Sequence, residues 1–315
     1  MKKVVTIGGG SSSFAILRGL KDLPLEITSV VNIFDSGSSS GVLRDEFGVL
    51  PPGDVRRALV ALSTGEQAEI ARQLFNFRFN GGSGLSGHSF GNLLIVALSS
   101  IYGGDAQAIE KASELLNIKG KVYPVSLDRS HVHAILENGE EIVGETNIDI
   151  PKHDANLHIQ KVFLDPPAKI YEKADRAIRN ADIVVICPGD LYSSLIPTLL
   201  SDGMSDALKK SRAKIVWACN MMTKQGETQD FTASHFAREL LAYSGIEKFD
   251  TVIVNTKAIP PEVLEHYARE QQFPVQFDEE DMQRYVSKII QGDLLSDTDL
   301  VRLDSAKVAR IIADL

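Results

Sequence analysis

The chain has 315 residues, a net charge of −9 and 43% hydrophobic residues. This length suits one large α/β domain or two small ones, with ample apolar content for a buried core. The acidic balance without a basic cluster argues against a nucleic-acid partner, and the apolar stretches are too short for a membrane span. Two cysteines follow apolar runs and no signal peptide is recognisable, so we expect a reduced, cytoplasmic protein.

The first predicted elements are a strand, a glycine-rich turn and a helix. The strand is Val4–Ile7, and the helix is Ser13–Lys21. Glycine lets the backbone approach a ligand closely, and a helix N-terminus offers free N–H groups and a positive dipole end. The turn therefore predicts binding of a phosphate or diphosphate. The residues predicted to contact it are Gly8, Gly9, Gly10, Ser11 and Ser12.

The glycine pattern leaves the nucleotide open. The dinucleotide fingerprint G-x-G-x-x-G is met at Gly8 and Gly10, but Ser13 stands at its third glycine. No Gly-Lys-Ser/Thr follows, so ATP or GTP hydrolysis of the P-loop kind is not expected.

A second strand is predicted over Glu26–Phe34 and ends at Asp35. Dinucleotide-binding folds place a ribose-binding acid at this point. Asp35 equally suits a divalent metal such as Mg²⁺, which prefers oxygen ligands. The hydroxyl and amide groups that follow form a second predicted cradle, with Ser38 and Ser39 as ligand contacts.

Two helices come next. Asp54 is predicted to cap the N-terminus of the helix Asp54–Ser63. Asn92 lies in the first turn of the apolar helix Phe90–Ile101, where its amide either caps the helix or points into a cleft. We include Asn92 among the candidate ligand contacts.

The pattern changes between Lys121 and Leu164. Period-two alternation and a hairpin signal at Glu137–Glu140 predict an antiparallel β meander inserted at about 121–164. The βα rhythm then resumes, with buried parallel strands predicted at Ile183–Ile186, Lys214–Cys219 and Thr251–Val254. We expect one domain over residues 1–315, a three-layer, doubly wound, mostly parallel α/β sheet of a Rossmann-like variant that carries this meander.

Polar side chains follow every strand whose end can be identified in the sequence. Ligands of such sheets lie beyond the carboxyl ends of the strands, so these side chains are expected around one site. The further predicted ligand contacts are Gly189, Asp190, Asn220, Thr223 and Asn255, with Tyr267 and Arg302 from later segments. The spacing assigns no nucleophile and base, so no catalytic residue is named.

Several of these segments resemble the bacterial gluconeogenesis-factor family, within the 2-phospho-L-lactate transferase (CofD-like) superfamily. The matching segments cover nearly the whole chain in one order: Ile7–Gly10, Asp35–Gly41, Leu50–Arg56, Gly84–Asn92, Pro188–Ser194, Cys219–Thr223 and Gly226–Thr228. The resemblance implies a three-layer α/β fold and a phosphate-rich ligand. Superfamily transferases move a phospholactyl group from a guanosine diphosphate donor onto a deazaflavin with Mg²⁺. The gluconeogenesis-factor branch is associated with UDP-sugar binding, gluconeogenic growth and cell shape.

One departure from the family pattern bears on metal binding. The family usually has Asp-Asp-Gly-Gly-Ser-Ser-Gly after the second strand, and here Ser36 replaces the second acid and Ser38 the second glycine. A single carboxylate binds a hard cation less well than a pair. We therefore expect a regulator that binds a UDP-sugar rather than an enzyme, and a homo-oligomer is compatible with the sequence. One alternative is a Mg²⁺-dependent transferase of a phospholactyl-type group from a nucleotide diphosphate donor, with Asp35 at the metal and Asp54 or Asp190 assisting. The other is a NAD-type oxidoreductase.

Overall fold

The computed structural model describes residues 1–65, 68–298 and 300–315. The strands are β1 (Lys2–Gly8), β2 (Leu25–Val31), β3 (Lys121–Pro124), β4 (His131–Leu136), β5 (Glu141–Val143), β6 (Ile159–Asp165), β7 (Ile183–Ile186), β8 (Lys214–Ala218), β9 (Phe249–Asn255) and β10 (Val286–Gly292).

Helices lie between most of these strands. They are α1 (Gly10–Lys21), α2 (Ser38–Phe47), α3 (Pro52–Leu62), α4 (Ala68–Asn76), α5 (Phe90–Tyr102), α6 (Asp105–Leu115), α7 (Glu145–Asp149), α8 (Glu172–Arg179), α9 (Ile196–Leu199), α10 (Met204–Lys210), α11 (Ala233–Ser244), α12 (Pro261–Ala268), α13 (Glu279–Met282) and α14 (Ser305–Asp314), with a π-helical turn at Leu191–Leu195.

The main sheet of the described residues is parallel, in the order β10-β9-β8-β7-β1-β2-β3. The central strand β1 pairs with β2 on one side and with β7 on the other, so Val4 lies opposite both Ile27 and Ile183. The strand order therefore reverses between β1 and β7. Such a reversal opens a crevice at the carboxyl ends of the strands, where doubly wound sheets bind ligands.

Helices cover both faces of the sheet, which confirms the predicted α/β fold. Successive side chains of a strand point to opposite faces, so Val4 packs in the core on one face and Val5 in the core on the other. The first core contains Leu17 of α1, and the second contains Trp217 of β8. Within the described residues, no helix combines the length and the apolar character that crossing a membrane requires.

A small antiparallel sheet, in the order β5-β4-β6, confirms the predicted meander. Its predicted start was wrong, because β3 pairs in parallel with β2 and is the edge of the main sheet. An edge strand has one exposed and one covered face, so Lys121–Pro124 shows the alternation typical of a meander. The insertion also includes the short helix α7, which lies at the carboxyl edge of the main sheet.

Several element boundaries differ from the sequence prediction. The second strand ends at Val31 rather than Phe34, and α1 begins at Gly10 rather than Ser13. The predicted capping role of Asp54 was wrong. The helix α3 begins at Pro52, whose fixed φ suits the first turn, so Asp54 lies inside that turn and its carboxylate is directed elsewhere.

Candidate functional site

A cleft lies at the carboxyl edge of the sheet, where the strand order reverses. It contains a cavity of about 410 Å³ and one of about 230 Å³, and the side chain of Asp190 borders both. Predicted site residues that line the larger cavity are Gly10, Asp35, Ser38, Ser39, Asn92 and Asp190. Those that line the smaller cavity are Ser12, Gly189, Asp190, Asn220, Thr223, Tyr267 and Arg302.

The remaining predicted residues lie nearby in different surroundings. Gly8 and Gly9 are buried in the turn after β1, and Ser11 is exposed in the first turn of α1. Asn255 lines a separate cavity of about 320 Å³. Its carboxamide oxygen accepts hydrogen bonds from the N–H groups of Lys257 and Leu294, so it braces two loops.

The glycine-rich turn is held by an acid from α3. The N–H of Gly10, the first residue of α1, donates a hydrogen bond to Asp54 Oδ1 at 2.8 Å, and Arg57 Nη1 donates to the same oxygen at 3.2 Å. Burial raises the pKa of Asp54, while Arg57 and the Gly10 N–H lower it. A Cβ atom on Gly9 would lie 1.9 Å from Asp54 Oδ2, so the absence of a side chain at Gly9 makes room for this carboxylate.

The turn after β2 is hydrogen-bonded to α7, the helix of the insertion. Asp35 accepts a hydrogen bond from the N–H of Gly37 at 2.8 Å. The N–H of Ser36 donates to Glu145 Oε2 at 3.0 Å, and the Ser36 hydroxyl lies 2.9 Å from that of Thr146. Burial, and then the charge of Asp35, raise the pKa of Glu145 to about 8. Glu145 thus brings a second carboxyl group close to Asp35, where Ser36 replaces the acid usual in the family.

A buried polar chain forms another wall of the larger cavity. Arg56 Nε donates to Asn92 Oδ1 at 3.1 Å, and Asn92 Nδ2 donates to Ser39 Oγ at 3.1 Å. The cap of α5 is Ser89, whose hydroxyl accepts the Asn92 N–H, so the Asn92 amide is directed into the wall of the cleft. Burial, and then the charges of Arg57 and Arg78, lower the pKa of Arg56 to about 10. Both neighbouring arginines also line this cavity.

A partly buried lysine marks the boundary between the two cavities. Lys224 Nζ forms ion pairs with Asp149, with Asp190 at 3.1 Å and with Glu227 at 3.3 Å. Burial lowers the pKa of Lys224, but the three carboxylates outweigh it and raise the pKa above its ordinary value. The carboxylate oxygens lie within 4.8 Å of one another, so their geometry is that of a cation site. Its cation is the ammonium of Lys224.

Glu227 fixes the segment after β7. Its side chain is fully buried and accepts hydrogen bonds from the N–H groups of Tyr192 and Ser193 and from the Ser193 hydroxyl, at 2.8 to 3.0 Å. Burial raises the pKa of Glu227, whereas Lys224 and these donors lower it. The π-helical turn and the loop of Asp190 are therefore held rigidly beside the cleft.

The smaller cavity presents fixed polar groups. Asn220 Nδ2 donates to the carbonyl of Gly189 at 2.7 Å, while its Oδ1 is buried and has no partner among the described residues. The N–H of Thr223 donates to the carbonyl of Phe273, and the Tyr267 hydroxyl accepts from the N–H of Val301 at 3.0 Å. These bonds fix Thr223 and Tyr267 in the lining of this cavity, which Arg302 also borders.

Sequence reasoning missed several residues that form the cleft. They are Asp54 as an internal partner of the glycine turn, and Arg56, Arg57, Arg78, Glu145, Asp149 and Lys224. Lys224 carried a signal, because it lies in the polar segment that follows the buried strand β8. The others lie on helices or loops outside the strand ends that the sequence identified.

Comparisons with known proteins identify the family of this chain. The family described as 2-phospho-L-lactate transferase CofD matches residues 4–295. The gluconeogenesis factor of Halalkalibacterium halodurans is 41% identical and that of Bacillus subtilis 38% identical, with 99% of this chain and at least 96% of each relative covered. A crystal structure of a UPF0052-family protein from Bacillus halodurans superposes with a TM-score of 0.94 at 39% identity, over 99% of both chains. The chain therefore belongs to the CofD family and is homologous to these gluconeogenesis factors over 99% of its residues.

Proposed function

We propose that this protein binds a nucleotide sugar of the UDP-sugar class in the cleft between β1 and β7. The observation that carries the proposal is the pair of polar cavities that meet at Asp190. A nucleoside and a sugar joined by a diphosphate need two adjoining pockets with cations near the junction. The volumes of about 230 and 410 Å³ suit the two parts of such a ligand.

Cations and helix N–H groups favour a diphosphate here. Arg56, Arg57 and Arg78 border the larger cavity, and Lys224 borders the smaller one at the junction. The first turn of α2, Ser38–Ser40, also lines the larger cavity and adds a positive dipole end. Guanidinium groups bind phosphate oxygens in pairs, so the arginine side of the cleft is the natural phosphate site.

Hydrogen-bonding groups of the cleft suit the rest of the ligand. Asp35 is placed to accept from a ribose or sugar hydroxyl. The buried Oδ1 of Asn220 is an acceptor for a base or sugar N–H or O–H group, because a buried acceptor without a partner is unfavourable until a donor reaches it. Tyr267 and Arg302 border the same cavity and supply an aromatic face and a charge. From the names of its relatives we propose a role in gluconeogenesis, and from the family resemblance a regulatory role that extends to cell shape.

A Mg²⁺-dependent transferase is the second candidate. Asp35 and Asp54 border the larger cavity together with Glu145, and carboxylate oxygens are the donors that Mg²⁺ prefers. These residues would hold the ion, which when bound neutralises charge that develops on a phosphoryl group. The group of Asp149, Asp190 and Glu227 does not fit this role, because the Lys224 ammonium occupies its centre.

Calorimetry and chromatography distinguish the candidates. We expect a UDP-sugar to bind in EDTA as well as in Mg²⁺, and to be recovered unchanged after hours. Asp35→Ala should lower the affinity by about 5- to 150-fold through loss of one hydrogen bond, while the exposed control Asp314→Ala leaves it unchanged. Conversion of the nucleotide that requires Mg²⁺ and Asp35 would establish the transferase instead. Binding of NAD in preference to every UDP-sugar would contradict both.

A further inference from the structure

A further cavity, of about 480 Å³, lies between the helices α1, α3 and α4. We call it the α1–α4 cavity, and it shares no lining residue with the two cavities of the cleft. Helix α1 begins at the cleft with Gly10 and spans roughly 18 Å, so Arg18 and Lys21 in its last turn lie at the end remote from the cleft. The lining residues are Phe14, Arg18, Lys21, Val60, Glu69, Arg72, Gln73 and Asn76.

The lining of the α1–α4 cavity has an excess of positive charge, with three cations and one carboxylate. The carboxylate, Glu69, accepts hydrogen bonds from Arg72 Nη2 at 2.8 Å, from Arg72 Nε at 3.1 Å and from Gln73 Nε2 at 3.2 Å. Its charge is therefore balanced by Arg72. Within residues 1–65, 68–298 and 300–315, neither Arg18 nor Lys21 forms an ion pair, and in a protein of charge −9 this local excess attracts anions.

Packing holds two of the cations close together. Lys21 Nζ donates a hydrogen bond to the carbonyl of Ser63 at 3.2 Å, and Arg72 Nη1 donates to the same oxygen at 3.4 Å. Burial lowers the pKa of Lys21, the charge of Asp22 raises it, and the charges of Arg72 and Arg18 lower it again. An anion bound between these cations relieves their mutual repulsion.

We propose that the α1–α4 cavity binds a small anion that carries a phosphate group. The ammonium of Lys21 has three N–H donors, of which the bond to Ser63 uses one. The guanidinium of Arg18 is held over the ring of Phe14, with Cζ 5.9 Å from the ring centroid, so it is oriented before a ligand arrives. A phosphate monoester carries nearly two negative charges, which match the two cations without a carboxylate partner.

Asn76 connects the α1–α4 cavity to the cleft. Its Oδ1 accepts a hydrogen bond from Arg56 Nη1 at 2.5 Å, and Arg56 lines the larger cavity of the cleft. An anion that accepts a hydrogen bond from Asn76 Nδ2 holds the amide with its oxygen towards Arg56. We therefore expect each site to strengthen binding at the other by the same factor. This coupling rests on the proposed function, whereas the anion site does not.

An NMR titration of the full chain with inorganic phosphate tests the anion site, because it reports each region of the protein separately. We expect saturable shifts of the amide signals of Arg18, Lys21 and Gln73. The variant Arg18→Gln/Lys21→Gln should raise the dissociation constant measured there by at least about 10-fold. The matched control Lys209→Gln/Arg212→Gln, which removes two exposed cations from the C-terminal end of α10, should leave it unchanged.

Gln73→Lys provides the opposite change, since it adds a cation to the lining without removing a contact of α1. It should lower the dissociation constant for phosphate by several-fold. The absence of saturable shifts at these residues, or a dissociation constant that neither change in charge alters, would overturn the proposal. Shifts that sodium chloride reproduces at the same ionic strength would also overturn it, because they report a general field and not a site.

Calorimetry with a UDP-sugar tests the coupling to the cleft. Saturating phosphate should raise the affinity of the wild type about 5-fold relative to that of Arg18→Gln/Lys21→Gln. The comparison uses this variant because phosphate that competes at the cleft arginines acts on both proteins alike. An equal response of the two proteins would overturn the coupling. If no UDP-sugar binds to either protein, the proposed function fails, while the phosphate titration still decides the anion site.

Discussion

The N–H of Gly10 donates its hydrogen bond to the carboxylate of Asp54, so the glycine-rich turn is bound to an acid of its own chain. In dinucleotide-binding folds the N–H groups of this turn contact the diphosphate. Here an anion entering the turn meets a carboxylate first. The arginines and the N-terminus of α2, which line the larger cavity, offer positive charge and free N–H groups to a phosphate instead.

Gly9→Ala should lower the free energy of unfolding by about 1–3 kcal/mol, because the new methyl group overlaps Asp54. The double variant Gly9→Ala/Asp54→Ala should lose less stability than the two single variants together, by about 0.5–3 kcal/mol. Urea denaturation measures all of these. Gly81→Ala, where a Cβ meets open space, is the control. Strict additivity of the two changes would show that the carboxylate does not require a glycine at position 9.

The stability of the protein should depend on pH through Glu145, whose pKa of about 8 lies above its ordinary 4.5. Below pH 4.5 the carboxyl group of Glu145 is protonated in the folded and the unfolded chain, and Glu145 makes its full contribution to the free energy of unfolding. As the pH rises towards 8, only the unfolded chain releases the proton, so the free energy of unfolding falls by on the order of 1–4 kcal/mol. Above pH 8 the contribution is lost and the curve is flat.

Glu145→Gln should remove this slope, because glutamine does not titrate. Urea denaturation at several pH values compares it with the wild type and with Glu140→Gln, an exposed glutamate in the loop between β4 and β5 of the same insertion. Parallel curves for wild type and Glu145→Gln between pH 5 and 8 would mean that Glu145 titrates normally.

Lys224→Met should lower the free energy of unfolding by about 3–5 kcal/mol, because three carboxylates lose their common cation. The same change should create a divalent-cation site from Asp149, Asp190 and Glu227. Thermal melts in Ca²⁺ and in EDTA test this, and Ca²⁺ should stabilise the variant more than the wild type. Adding Asp190→Asn should abolish that gain. The exposed control Lys210→Met should show neither effect, and an equal Ca²⁺ response in variant and wild type would count against the site.

Asn92→Ala should lower the free energy of unfolding by about 1–3 kcal/mol, since the guanidinium of Arg56 and the hydroxyl of Ser39 both lose a buried partner. It should also weaken nucleotide-sugar binding, because Arg56 and Ser39 line the larger cavity. Calorimetry and chemical denaturation measure the two effects, with the exposed Asn180→Ala as control. If the destabilised Asn92→Ala protein binds the ligand with full affinity, the hydrogen bonds of Asn92 to Arg56 and Ser39 have only a structural role.

The sequence predicted those features of the fold that depend on local pattern. Apolar runs punctuated by glycine located the parallel strands, and Ile183–Ile186 agrees with its predicted bounds. The assignment of Lys121–Pro124 to the meander failed, because the partner of an edge strand is decided by tertiary pairing. Alternation alone does not distinguish the two situations.

Most of the predicted residues that line the cleft were recognisable because they follow a strand, although Asn92 and Tyr267 lie on helices. Asp190, Asn220 and Thr223 were identified by this rule and line the cleft. Glu145 was missed because its hydrogen bond to Ser36 joins residues 109 positions apart, one on the inserted helix α7 and the other in the segment between β2 and α2. A contact of this range depends on how the two sheets dock, and no local pattern encodes it.

Because the strand order reverses at the cleft, a molecule bound there contacts both halves of the main sheet. The two walls of the cleft belong to opposite halves of the chain, and within the main sheet those halves are joined at one seam by the pairing of Val4–Ile7 with Ile183–Ile186. A molecule that contacts both walls therefore links the two halves in addition to the pairing of β1 with β7. Its binding energy opposes any motion that parts the halves, so amide exchange along β7 should slow in proportion to occupancy although these amides lie beneath the site.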